Sequence, residues 1–148
     1  MKIVVQRTKQ ASVWVDNQLV SSIDKGFLLL VAIEKEDSEQ DLSWCAQKVS
    51  QLRIFDDENN KMNLNIHQVG GQILSVSQFT LAGNVEKGNR PSFTNSENAD
   101  VARDKFNLFN HKLVELGCDV HTGQFQTMMD VKLTNDGPVT LIVESKGR

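Results

Sequence analysis

Tyrosine is absent from this chain, and only two tryptophans and three histidines occur in its 148 residues. So few flat rings make a poor stacking platform for single-stranded nucleic acid. The histidines, His67, His111 and His121, have no second ligand four residues on and no nearby cysteine in zinc spacing, so no metal site is expected. Cys45 and Cys118 form no C-x-x-C pair and read as reduced, packed thiols. There is no P-loop, no G-x-S-x-G elbow and no G-x-G-x-x-G, and a protein without cofactor is favoured. No apolar run approaches a membrane span, and the opening "MKIVVQRT" lacks a cleavage-site pattern; the expectation is a cytoplasmic protein with no membrane partner. A formal charge of −3 and a pI near 5.6 exclude coating of nucleic acid through bulk charge, while leaving room for local basic patches.

What is present is strand pattern. "KIVVQRT" and "ASVWVDNQLVSSI" alternate with period two and read as two strands and a short third, turning at Asp16-Asn17-Gln18. "GFLLLVAIE" is apolar without alternation, as in a central strand covered on both faces. Asp37, with Gln40 three residues on, is placed to cap a helix whose buried face is Leu42, Cys45, Ala46 and Val49. Further strands follow in "LRIF", "MNLNI" and "QILSVSQFTLAG", and then a long polar loop, "NVEKGNRPSFTNSEN". A second helix is predicted from about Ala99 to Leu116, with Val101, Ala102, Phe106, Phe109, Leu113 and Leu116 as its stripe and Gly117 as its stop. "MMDVKLT" and "PVTLIVES" read as a strand pair joined at Asn135-Asp136-Gly137. The expected fold is a single α+β domain over residues 1–148: a mixed or antiparallel sheet curled towards a barrel, carrying two helices.

Chemistry has few candidate locations. Asp56, Asp57 and Glu58 read as a solvated turn, and His111 as a surface residue. Ser77, Gln78 and Thr80 end an apolar strand just before a glycine-containing loop, where hydroxyls, an amide and backbone N–H groups can converge on a small ligand, or simply be solvated. In "NDGPVT", Asp136-Gly137 alone would make an ordinary turn, but Pro138 removes a backbone donor and opens the cheap route to a cis bond. That segment is either a plain turn or backbone shaped for a purpose.

Taken together, Ser77-Gln78-Phe79-Thr80 and Asn135-Asp136-Gly137-Pro138-Val139-Thr140 form a specific pairing, supported by "QRTKQASVWVD", "GFLLLVAIEK", "RIFDDENNKMNLNI" and "KGNRPSF". With these segments essentially the whole chain resembles the D-aminoacyl-tRNA deacylases. The resemblance implies hydrolysis of the ester between a D-amino acid and the 3′-terminal adenosine of tRNA, and removal of glycine mischarged on alanine tRNA. It implies a homodimer whose active sites lie at the interface, S-Q-x-T of one subunit meeting a Gly-cisPro of the other. Gly137-Pro138 would then hold the substrate's α-ammonium and reject L-amino acids.

On that resemblance, N–H groups around Phe79 and Thr80 are candidates for an oxyanion hole. No good general base accompanies Ser77 or Thr80. Either Thr80 attacks covalently, or the substrate's 2′-hydroxyl positions or activates a water; the second is favoured. Arg7 either braces the Gly-Pro loop through its carbonyls or is a surface arginine. Lys87, Arg90 and Lys61 are candidate phosphate contacts for the acceptor end. The rival readings are a dimeric nucleic-acid-binding module without activity and a small-molecule esterase or amidase using Thr80.

Overall fold

The computed structural model describes residues 1–146, built as eight strands, two α-helices and one short 3₁₀ turn. Strand β1 (Lys2–Val15) is the spine. One of its edges is taken by β2 (Gln18–Ile23) and β3 (Gly26–Ala32), both antiparallel to it, so that β2 lies against its second half and β3 against its first. The other edge is taken along nearly its whole length by β8 (Asp130–Glu144). Beyond β3 the sheet continues through β6 (Gln72–Ser77) and β7 (Asp119–Thr122), both in parallel pairing. The Ser21 hydroxyl donates to the Thr122 carbonyl at 2.7 Å, tying β2 to β7 and curling the sheet into a nearly closed barrel. The small hairpin of β4 (Phe55–Asp56) and β5 (Met62–Leu64) stands apart. This is the mixed, barrel-like α+β domain with two helices that the sequence predicts.

Curling divides the apolar residues between two cores. One face of the sheet, including Ile3, Val5, Phe27, Leu29 and Ile73, packs under the helices. The other, with Ala11, Val13, Ile23, Leu28, Leu74 and Val76, folds onto itself. That β3 feeds both cores explains its unbroken apolar run. Helix α1 (Glu39–Gln51) buries Leu42, Cys45, Ala46 and Val49, as predicted. In α2 (Ala99–Glu115), Phe106, Phe109 and Leu113 are buried, whereas Val101 and Leu116 are about 40% exposed because they flank the stripe. Both cysteines are free and buried, and burial pushes each thiol up to about 11.

Three local expectations are corrected. The cap of α1 is Ser38 and not Asp37: the Ser38 hydroxyl accepts from the Asp41 N–H while the Asp41 carboxylate accepts from the Ser38 N–H. Asp37 is buried instead, accepting from the Met1 amino group at 2.6 Å and from the Glu34 N–H at 2.7 Å. The two opening strands are one, and so are the two closing strands. Where the pattern suggested interruptions, β1 and β8 carry opposed irregularities around Thr8 and around residues 136–139, and pairing resumes on both sides. Ser38→Ala is expected to lower stability by about 1 kcal/mol, read as a lower urea midpoint at unchanged slope. Hydrogen bonding to the Ser38 backbone lowers the Asp41 pKa from its ordinary 3.8. The cap's ionic contribution is therefore complete above that value and disappears as pH falls through the lowered one.

Candidate active site

Strand β6 ends at Ser77, and the chain turns at once into the 3₁₀ turn Phe79–Ala82. Gln78 marks the change: its N–H still donates to Val31 O at 2.7 Å, but it starts the turn with no side-chain cap. The opening N–H groups of such a turn have no acceptor within it, leaving those of Phe79 and Thr80 available. The Gln78 side-chain amide donates to the Thr80 hydroxyl. Ser77, Gln78 and Phe79 line a cavity of about 680 Å³, walled further by Phe93, Ser96, Glu97, Phe125, Gln126, Thr127, Met128 and Met129.

Much of this wall is not apparent in the local sequence pattern. Phe93 returns from the long loop to meet Phe79 edge to face at 5.3 Å. The segment 125–129 joins β7 to β8; Phe125 stacks on Phe106 of α2 and Met129 packs in the second core, leaving Met128 between them 95% exposed. Glu97 brings a carboxylate, but one oxygen accepts from the Asn98 N–H at 2.8 Å and the other pairs with Lys105 at 3.6 Å. None of the histidines lines the cavity. His111 is a surface residue paired with Glu115, as expected, and His121 pairs with Asp119 at 3.0 Å. Among the described residues no cluster of three or more His, Cys, Asp or Glu could hold a metal ion. No described helix is long and apolar enough to cross a membrane.

The second motif is carried by β8. Its residues 136–139 leave the ladder as a bulged loop opposite Arg7, with Gly137 and Pro138 exposed and the peptide bond between them cis. Asn135 closes the neck: its side-chain amide donates to Arg7 O at 2.9 Å and to Val139 O at 3.1 Å. Beneath the loop Arg7 is only 4% exposed. Its guanidinium donates to Asp136 O at 3.2 Å, Gly137 O at 3.4 Å and Ile54 O at 2.6 Å, and pairs with the carboxylates of Asp136 and Asp56. Arg7 is thus no surface arginine, and Asp56 is not merely solvated. Asp57 does organise its turn, accepting from the N–H groups of Asn59 and Lys61. Lys61 accordingly lies in the turn of the hairpin whose Asp56 reaches Arg7 and does not line the Ser77 cavity, whereas Lys87 and Arg90 are exposed on the loop pinched by the Asn84–Ser92 bridge and followed by Phe93.

Within one chain the two motifs do not meet. The paired row from Ser77 runs through Val31 and Ile3 to Val143 on β8, a lateral distance of about 14 Å at about 4.8 Å per strand. The Gly137 loop stands opposite Arg7, four residues along β1 from Ile3, a further offset of about 13 Å at right angles to the first. Strand β8 offers its second edge to no described strand, and Leu141 and Ile142 on it are 38% and 64% exposed.

Comparison with known proteins fits this arrangement into a family. A D-aminoacyl-tRNA deacylase of Bacillus cytotoxicus is 53% identical over 146 residues, covering 99% of this chain and 100% of the relative. That of Brevibacillus brevis is 54% identical over 145 residues, covering 98% and 100%. Among solved structures, a c-Myc DNA unwinding element binding protein superposes with a TM-score of 0.92 at 36% identity, covering 97% of this chain and 98% of its own. A probable eukaryotic D-amino acid tRNA deacylase shares the fold at a TM-score of 0.84 and 18% identity, over the same shares. The family model for D-Tyr-tRNA(Tyr) deacylase matches residues 4–144, nearly all of the barrel and both motifs, and the chain belongs to that family.

Proposed function

We propose that this protein hydrolyses the ester of D-aminoacyl-tRNA in the cytoplasm, and likewise that of glycine mischarged on alanine tRNA, as a homodimer whose sites are shared between chains. The observation that carries this reading is the separation of two exposed half-sites on one barrel. Each half is built and neither is complete, while β8 presents an unpaired edge suited to association with a second copy. In the dimer the cavity at Ser77–Thr80 of one subunit faces the Gly137–Pro138 loop of the other. The loop's carbonyls hold the substrate's α-ammonium, and the Phe79 and Thr80 N–H groups hold the ester oxygen as it gains charge. With both ends pinned, one direction remains for a side chain, and main chain fills the other. An L side chain collides, a D side chain points outward and glycine has nothing to collide. Selection works by exclusion and accepts many D-amino acids. Arg7 keeps the loop at its height, and Lys87 and Arg90 meet phosphates of the acceptor end, few enough contacts to suit an acidic protein.

The direct test is release of amino acid from matched D- and L-aminoacyl-tRNA. Rapid hydrolysis of the D ester and of glycyl-tRNA, with the L ester spared, is expected. Binding of tRNA without release would favour the non-enzymatic module, and equal rates on D, L and small esters the general esterase. Because no cluster of His, Cys, Asp or Glu among the described residues could hold a metal ion, exhaustive chelation should leave the D rate within about twofold of its starting value. A loss restored by added zinc or magnesium, with tRNA folding unchanged, counts against that.

A further inference from the structure

The 3₁₀ turn is anchored at its start by the Gln78 N–H on Val31 O and at its end by buried Ala82, but Phe79 and Thr80 between them face outward, and something must fix their position. Phe79 is 56% exposed and Thr80 is also on the surface, so burial in their own core does not hold them. The ring of Phe93 lies against the edge of the Phe79 ring at 5.3 Å and also covers Gly83, just past the turn. The approach is close enough that a Cβ on Gly83 would stand 2.9 Å from Phe93 Cε1 and 2.9 Å from Thr80 O. Phe93 is itself held on both sides. Before it, Asn84 and Ser92 exchange backbone hydrogen bonds of 2.7 and 2.9 Å; after it, Asn95 O accepts from the Lys35 N–H at 3.0 Å, and the Glu97 N–H donates to Ile33 O at 3.2 Å. The ring is thus mounted on the exit of β3 by a closed loop and bears on the turn from outside.

We infer that Phe93 is a positioning residue for the reaction: packed on Gly83 and Phe79, it sets where the backbone of Phe79, which lines the cavity, and of Thr80 next to it stands. The inference rests on the deacylase reading above. Phe93→Ala frees the turn, and Gly83→Ala pushes it from the other side; a displacement of even 1 Å at a reacting centre costs on the order of 100-fold. Both variants are expected to lower kcat on D-aminoacyl-tRNA by about 10- to 100-fold with KM changed less than about threefold. Phe93→Tyr, which keeps the ring, should stay within about threefold of the parent. In amide NMR spectra the Phe79 and Thr80 resonances should move in the Phe93→Ala and Gly83→Ala proteins while those of Asp136, Gly137 and Val139 stay. Phe93 is 37% exposed, so losing its ring opens no closed cavity. If Phe93→Ala still fails to fold, Phe93→Leu, which keeps bulk without the aromatic edge, gives the same readings. Parent kcat in the folded variants, or an effect confined to KM, overturns the inference and leaves Phe93 as wall only. If the parent protein is itself inert, the deacylase reading fails, and unmoved Phe79 and Thr80 resonances then overturn the positioning separately.

Discussion

D-aminoacyl-tRNA ending in 2′-deoxyadenosine is expected to be hydrolysed on the order of 100-fold more slowly than the natural substrate, while Thr80→Ala stays within about tenfold of the parent. The Thr80 hydroxyl receives a hydrogen bond from the Gln78 amide, which draws electron density from the oxygen and does nothing to take its proton. No histidine lines the cavity, and the Glu97 carboxylate is committed at both oxygens. A hydroxyl so placed is a weak nucleophile. On the proposed reading the chain supplies donors for a developing oxyanion, and the remaining task, orienting or activating a water, falls to the vicinal hydroxyl of the substrate's own ribose. Single-turnover rates with ribo- and deoxyribo-terminated substrates measure this. An acyl group trapped on Thr80, or a collapse of the rate in Glu97→Gln with folding intact, would return the chemistry to the protein.

The second large effect is complementation between two inactive variants. A Cβ on Gly137 meets nothing within 4 Å in its own chain, and its φ lies outside the left-handed region, so Gly137→Val should fold and yet place bulk where the loop addresses the partner's substrate. Thr80→Trp adds bulk to an exposed residue beside the cavity of its own chain. Each variant alone is expected to lose activity by about 100-fold or more. Mixed through co-expression, they should recover about a quarter of the parent rate, since half of randomly assembled dimers are hybrid and one site in each hybrid is free of both changes. Hybrids purified through two different tags, with one intact site of two, should accordingly show about half of the parent rate. No recovery in verified hybrids, or full activity of a parent monomer, rules out the shared site.

The periodic parts of this fold could be read locally. The spacing of Phe106, Phe109 and Leu113, with the Gly117 stop, placed α2 to within a residue of its observed end. The unbroken apolar run of β3 announced a strand covered on both faces. Interruptions within strands were not legible. At Thr8-Lys9-Gln10 and at Asn135–Val139 a loss of alternation looks the same whether the chain reverses or bulges and continues, and only the pairing of β1 with β8, more than a hundred residues apart, decides between them. The role of the Asp37 carboxylate is hidden from local pattern for a similar reason, since its partner, the Met1 amino group, is 36 residues away. The motif residues themselves stood out, as did the option of Arg7 beneath the loop. The cavity wall did not, because Phe93, Glu97 and Phe125–Met129 come together only through the exits of β3 and β7.

The loop at 136–139 also bears on how such a protein can diverge. On one side of it Lys2–Gln6 pair with Thr140–Glu144, and on the other Gln10–Trp14 pair with Asp130–Thr134, each ladder keeping its own register. Asn135 closes the loop's neck, Arg7 supports its floor and Val139 is buried in the core under the helices, so that only the exposed Gly137–Pro138 tip is carried clear of both ladder and core. Substitutions at its tip leave both ladders and both cores untouched. If the loop is the proposed filter, the scaffold can stay fixed while drift retunes which acyl groups are refused, and descendants with different appetites need differ by only a few residues at one spot.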